Sequence, residues 1–505
     1  MLSGANIKHV FVLMLENRSF DHLLGFSGIS GTDAASGQRR TIPIPTGSNQ
    51  YDGATYSQAT PAINPMPLDP GHEFTDTVTE LAGPGATYPR GGPYPAITNA
   101  GYAADYMAQH GAVRPPSPGD PLRCCAASQV PVLTALAESF VLCDGWWSSM
   151  PGPTWPNRLF LHAGSSGGLD HSPSAGDILK YMLFGYEFQN GTIFDRLHEM
   201  GLPWRIYHGD AFPQAFALKG MTGYWLEGYF SDYKQFADDL QGDYKPLYTF
   251  IEPSYGAVTG NFTCGTSQHP LDDISRGEWL IKCTYEALRN SPVWESSLLI
   301  VTWDEHGGFY DQAEPPGKAP APGDNPVWPE NNASDFTFTQ YGVRVPAVVA
   351  CPLIPANILD GRLYDHTSVL STLEAIFQIL PLTERDRAAR NLTSLGTLAS
   401  PRTDAPLQLP DPAPPAAIPG CAPLSGCGSI PAVEASRARL AVPVDDGPLT
   451  GNQPGFVHVA LMRDLAVSSP AEHTQRRERA ASVATRGEAR AYLAEVLNRV
   501  TERAT

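Results

Sequence analysis

The chain has 505 residues, enough for a large and well-buried core. It carries 34 Lys and Arg against 52 Asp and Glu, and the net charge of −18 excludes nucleic-acid binding by bulk charge attraction. Only 17% of residues are charged while Gly and Pro number 47 and 48, which describes a loop-rich globular protein, not a helical bundle or a disordered acidic tail.

Residues 6–15 (NIKHVFVLML) predict a buried strand, an apolar run bounded by polar residues. That run is too short to cross a membrane, and no basic segment precedes it as in a signal peptide. The chain as given is therefore cytoplasmic, already trimmed, or exported by another route. Residues 30–125 are rich in Gly, Pro, Thr and Tyr, a loop length that usually serves function or disorder. Helices are predicted over 130–140, 191–200, 278–290 and 367–380, the last after an N-terminal signal at Asp365-His366-Thr367-Ser368. Residues 297–303 (SLLIVTW) and 343–350 (VRVPAVVA) predict further buried strands, with Pro346 arguing for an edge or a bulge. Continuous apolar strands suit an α/β fold with a mostly parallel sheet covered by helices on both faces.

Residues 401–423 hold eight prolines and predict a linker or wrapping strap. Cys421 and Cys427 flank a Gly/Pro-rich loop and are candidates to bridge, although a reduced pair has the same sequence. Ala489, Tyr492, Leu493, Val496, Leu497 and Val500 recur at helical spacing among eight arginines that begin at Arg463. The spacing predicts a docking helix with a solvated basic face; the alternative is a helix lying on a membrane surface.

Three constellations carry chemistry. Glu16-Asn17 follows the first strand, where a carboxylate and a carboxamide offer hard oxygen ligands to a divalent cation or simply form a turn. Asp304-Glu305 follows the SLLIVTW strand, and adjacent carboxylates repel unless a cation or protons offset them. Thr154 sits in the stiff run Met150-Pro151-Gly152-Pro153-Thr154-Trp155-Pro156-Asn157-Arg158, a potential nucleophile if a metal lowers the pKa of its hydroxyl. Asn157 and Arg158 could donate to phosphoryl oxygens, or Asn157 could cap a helix. His72, His208 and His269 lie in or beside loops as further candidates.

Glu16–Phe26 (ENRSFDHLLGF), Pro151–Arg158 (PGPTWPNR), SQHP at 267–270 and TWDEHGGFYD at 302–311 resemble the bacterial and plant phosphoesterase family of non-specific phospholipases C and related acid phosphatases. The resemblance implies an alkaline-phosphatase-like α/β core with long loop insertions. It implies that Glu16, Asn17, Asp304 and Glu305 bind one divalent metal ion of unspecified identity, with Thr154 as the metal-bound nucleophile. His72 and His269 match the family's phosphate-contacting histidines, and His208 matches by approximate position only. The expected reaction is hydrolysis of a phosphate ester or phospholipid through a phosphothreonine, with transient membrane-surface contact and with His269, or else His72, protonating the leaving alkoxide. Aromatic pairs at Trp146-Trp147, Tyr224-Trp225 and Tyr229-Phe230 could hold a choline headgroup or could be core. On this reading residues 1–400 are the phosphoesterase catalytic domain, 401–435 a linker or strap, and 436–505 a C-terminal extension ending in a helix. The alternative is a catalytically silent metal-binding or interaction protein on the same fold.

Overall fold

In the computed structural model, which describes residues 1–109, 113–174, 176–177, 185–416, 421, 432–441, 444 and 446–504, a ten-stranded sheet organises the chain. Its strands are β1 (His9–Leu15), β2 (Ser30–Asp33), β3 (Arg39–Thr41), β4 (Val141–Cys143), β5 (Trp204–His208), β6 (Phe230–Asp232), β7 (Tyr248–Glu252), β8 (Ser297–Trp303), β9 (Ala347–Ala350) and β10 (Ile358–Asp360). They lie in the order β3-β2-β10-β4-β9-β8-β1-β7-β5-β6. Every residue of β1 and β8 is buried. Successive strand side chains face opposite ways, so both faces of the sheet are covered, as the unbroken apolar runs require. This is the expected α/β class.

The central strands β8, β1, β7, β5 and β6 run parallel. The register aligns Leu15 with Trp303, so β1 and β8 end side by side. Their next residues, Glu16 and Asp304, therefore emerge together at the carboxyl edge, where open α/β sheets gather ligands. Strand β9 is antiparallel to both neighbours and is interior, not an edge. Pro346 precedes its first residue, so no ladder donor is lost, and its carbonyl accepts from Thr302 Oγ1 at 3.0 Å.

The helices that matter below are α1 (Phe74–Ala82), α2 (Tyr102–Gln109), α3 (Pro131–Ser139), α4 (Thr154–Ala163), α5 (Ile193–Glu199), α6 (Ile274–Arg289), α7 (Thr367–Phe377), α8 (Gln453–Val467) and α9 (Arg486–Ala504). Helix α6 starts four residues before its expected boundary because Asp273 caps it, accepting from Ser275 N. The long 30–125 segment holds two β-hairpins and both α1 and α2. Residues 405–409 lie along α6, where Tyr285 Oη donates to Pro406 O at 2.6 Å and Arg289 Nη2 to Ala405 O at 3.0 Å.

The expected apolar row of α9, from Ala489 to Val500, is buried, and the helix packs on α8. This is the docking arrangement, and it leaves that face unavailable to a membrane. No helix among the described residues is long and apolar enough to cross a membrane. The cysteine expectation is corrected: Cys421 pairs with Cys264, 157 residues away in sequence, and so cannot bridge to Cys427, which lies outside the described residues. The aromatic pairs are packing elements rather than a headgroup cage. Trp146 is buried against Tyr364, while Tyr224 and Tyr229 pack on Trp204.

Candidate active site

The turns after β1 and β8 are knitted together. Asn17 has φ 58°, the left-handed conformation that asparagine tolerates best, and it reverses the chain within one residue of Glu16. Gly307 lies against this turn; a Cβ there would stand 2.2 Å from Asn17 O, so only glycine fits. Asn17 N donates to Asp304 Oδ1 at 2.9 Å and Arg18 N to Glu305 O at 2.9 Å. Gly307 N donates to Glu305 Oε2 at 2.7 Å. Sequence separations near 290 residues thus collapse into one cluster in which Glu16, Asn17, Asp304 and Glu305 are all fully buried.

Thr154 joins this cluster as the first residue of α4 and is itself fully buried. A helix N-terminus offers unpaired N–H groups and a partial positive charge to an anion. Asn17 Nδ2 lies 3.2 Å from Thr154 Oγ1 and also donates to Glu305 Oε1, so one carboxamide links the hydroxyl to a carboxylate. The expectation that Asn157 and Arg158 reach a phosphoryl group is corrected. Asn157 Nδ2 donates to the carbonyls of Met150, Gly152 and Pro153 at 3.0–3.2 Å, and its Oδ1 accepts from Met150 N at 3.1 Å. It braces the loop before Thr154 and has no donor left over. Arg158 is spent likewise: Nε meets Asp304 Oδ2 at 2.8 Å, Nη1 donates to Tyr255 Oη at 2.7 Å, and Nη2 to Leu15 O at 2.8 Å.

Glu16 and Asp304 face one buried guanidinium, Arg158, while Glu305 lies against His306. Burial pushes the Glu16 carboxyl up to about 8, with Asp304 and Glu305 adding to the rise and Arg158 opposing it. Burial also raises Asp304, against the pull of Arg158. Glu16 Oε2 and Asn17 Oδ1 are buried with no hydrogen-bond partner. Excess negative charge and orphaned hard oxygens are the donor set a divalent cation takes, so the residues present fit the expected metal.

The histidines separate. His72, in the turn before α1, and His269 face each other with ring centroids 6.2 Å apart. Together with Asp69 they bring ligand-capable atoms within 4.8 Å of one another, a second group that could hold a cation. Burial pulls the His72 imidazole down, but Glu305, Asp69 and Glu73 outweigh it and lift the pKa to about 10. His72 Nδ1 is turned to Pro70 O at 2.9 Å. His269 is the opposite case, pushed well below the ordinary range by burial, by His72 and by Arg18. Its Nδ1 accepts from Leu271 N at 3.3 Å, which puts the proton on Nε2, 3.6 Å from Asp69 Oδ2. Phe262 stacks on the His269 ring at 3.7 Å. His208 does not join them. It ends β5, two strands or about 10 Å from β1, and its charged neighbours are Arg463, Asp232 and Asp210.

Other residues escaped the sequence reading. His306 bridges two buried carboxylates, with Nδ1 3.1 Å from Glu305 Oε2 and Nε2 2.7 Å from Glu80 Oε2, and so fixes the Glu305 side chain. His366, read from the sequence only as part of a helix start, has Nε2 2.6 Å from Asp304 O. His306 stands inside the TWDEHGGFYD motif, and Asp69 lies three residues before His72. Asn452, which reaches Glu16 and Thr154 from α8, had no signal at all.

A buried hydroxyl on a helix N-terminus, beside clustered carboxylates at the edge of an α/β sheet, is an arrangement suited to phosphoric ester hydrolysis. The chain belongs to the Phosphoesterase family, whose model matches residues 7–380. It is similar to non-specific phospholipase C6 of Arabidopsis thaliana, at 32% identity over 81% of this chain and 76% of that protein. It is also similar to phospholipase C B of Mycobacterium tuberculosis, at 26% identity over 78% of each. Among solved structures, an alkaline phosphatase superfamily protein from Vibrio parahaemolyticus is 14% identical, with 52% of this chain and 64% of that one covered and a TM-score of 0.32.

Proposed function

We propose that the protein hydrolyses phosphate esters, phospholipids among them, through a phosphothreonine on Thr154. The observation that carries this reading is Thr154 Oγ1 at the start of α4, beside Asn17 and a carboxylate cluster with orphaned oxygens. Glu16, Asn17, Asp304 and Glu305 would hold one divalent cation. Bound there, the cation would lower the hydroxyl pKa so that its proton is shed to solvent, and would offset phosphoryl charge. Thr154 Oγ1 then bonds to phosphorus in line as the bond to the leaving alcohol breaks. The first N–H groups of α4 attract the charged oxygens. His72 is the better acid for the leaving alkoxide, because Asp69 and Glu73 as well as Glu305 favour its charged form, whereas burial, His72 and Arg18 hold His269 below the ordinary range. His269 then donates its Nε2 proton to a phosphoryl oxygen. Water finally cleaves the phosphothreonine.

The similarity to phospholipases C supports a diester substrate with a lipid leaving group. The test is Thr154→Ala against wild type on p-nitrophenyl phosphate and p-nitrophenylphosphorylcholine, with mass spectrometry of acid-quenched protein. Loss of at least 1,000-fold in kcat and of the phosphorylated Thr154 peptide is expected. Turnover of neither substrate by metal-loaded wild type would favour a catalytically silent protein.

A further inference from the structure

Asn452 enters the site from outside residues 7–380, the part matched by the family model. It stands immediately before α8 in the capping position, yet its side chain makes no capping bond. It points instead into the site, with Nδ2 3.5 Å from Thr154 Oγ1 and 3.4 Å from Glu16 Oε1. The residue is 1% exposed, and its Oδ1 is buried without a partner. A carboxamide serving only as a helix cap would spend its oxygen on the N–H groups of the first turn.

The backbone around it is locked to the nucleophile's own helix. Trp155 Nε1 donates to Asn452 O at 3.4 Å. Gly455 lies so close to the Trp155 ring that a Cβ would stand 2.4 Å from Cε2 and Cζ2. Gln453 Nε2 donates to Ala257 O at 3.0 Å and to Asn261 Oδ1 at 2.8 Å, tying α8 to the loop that leads to His269. The position of Asn452 relative to Thr154 is thus set by contacts on both sides of the site.

We infer that Asn452 is a catalytic residue, donating an Nδ2 hydrogen bond to a phosphoryl oxygen as phosphorus is transferred to Thr154 Oγ1. This rests on the reading of Thr154 as nucleophile. Charge in that transfer spreads over the equatorial phosphoryl oxygens, and those oxygens surround the atom Asn452 already faces. Asn17 Nδ2 is held closely by Glu305, whereas Asn452 brings a second carboxamide whose two contacts, to Glu16 Oε1 and Thr154 Oγ1, are long at 3.4 and 3.5 Å and open to exchange for a phosphoryl oxygen.

The Asn452 side chain makes no capping bond, so Asn452→Asp keeps its shape but cannot donate and repels a phosphoryl group, while Asn452→Ala removes the donor without adding charge. Removing one donor of this kind costs about 10²–10³-fold in kcat. Full-length Asn452→Asp and Asn452→Ala, loaded with divalent metal, are assayed on p-nitrophenyl phosphate beside Thr154→Ala, with thermal midpoints and inhibition by orthovanadate. Expected is a loss of at least 100-fold in kcat for Asp, a smaller loss for Ala, a midpoint lowered for Asp by the added charge beside Glu16 and unchanged for Ala, and at least tenfold weaker vanadate inhibition in both. Should Asp fail to fold, the kcat and vanadate constants of Ala decide alone. An inactive Thr154→Ala with Asn452→Asp, or Ala in its place, within threefold of wild type would overturn the inference and leave the nucleophile standing. An active Thr154→Ala would overturn both.

Discussion

Replacing Glu16 by Gln removes one negative charge from the carboxylate cluster and keeps its shape. In the metal-free protein burial, Asp304 and Glu305 lift the Glu16 carboxyl from its ordinary 4.5 to about 8. Below pH 4.5 the folded and unfolded chains both hold the proton, and Glu16 costs nothing. Between 4.5 and about 8 the folded chain keeps a proton that the unfolded chain has lost, so stability falls as pH rises. Each pH unit in that window costs about 1.4 kcal/mol, so about 3 kcal/mol is lost by pH 7. An unfolding entropy of about 2 cal/mol/K per residue makes this about 3 °C in Tm for a chain of this length. Glu16→Gln should therefore melt at the wild-type temperature near pH 4.5 and about 3 °C higher at pH 7, with both proteins held in chelator. Added divalent cation should reverse the order by stabilising wild type more than the variant, since it binds the charged form. Differential scanning calorimetry with chelator or metal from pH 4.5 to 8 checks both. Equal midpoints for the two proteins across that range in chelator would refute the like-charge argument.

Arg158→Met removes the partner of Asp304 and leaves its carboxylate buried; a cost of about 3–5 kcal/mol in urea unfolding is expected, well beyond that of an exposed pair. His72→Ala should lose about 10²–10⁴-fold on alkyl phosphate esters and far less on p-nitrophenyl esters, because only the alkoxide needs a proton to leave. His269→Ala should lose similar factors on both, since phosphoryl charge is common to them; a leaving-group series for the two variants distinguishes the roles.

The fold was legible where a strand is buried on both faces. The runs before Glu16 and Asp304 contain no polar residue facing solvent, so their apolar continuity alone announced central strands. Pro346 misled because proline was weighed as a strand residue, whereas the strand begins one residue later. The start of α6 was missed because its signal is a single capping aspartate ahead of the apolar period. The cysteine pairing was illegible for a different reason. Proximity in sequence favoured Cys427, but Cys421 pairs with Cys264, 157 residues away, and sequence spacing does not encode that proximity.

The site shows the same division. Glu16, Asn17, Asp304 and Glu305 could be read because each follows a strand whose end the sheet must expose, and adjacent carboxylates have few reasons to stand together. Asn157 and Arg158 were read from chemical type alone; both are rich in donors, and donors are also what a buried loop and a buried carboxylate consume. Their hydrogen bonds are filled by Met150, Gly152, Pro153, Asp304 and Leu15 before any substrate arrives. The roles of His72 and His269 could not be ordered without knowing which carboxylates face each ring, and the proposal of His72 as the acid rests on those neighbours. Asn452 marks the limit: a lone asparagine between two helices carries no pattern, and its importance exists only through the packing of Gly455 on Trp155, which brings α8 to the first turn of α4.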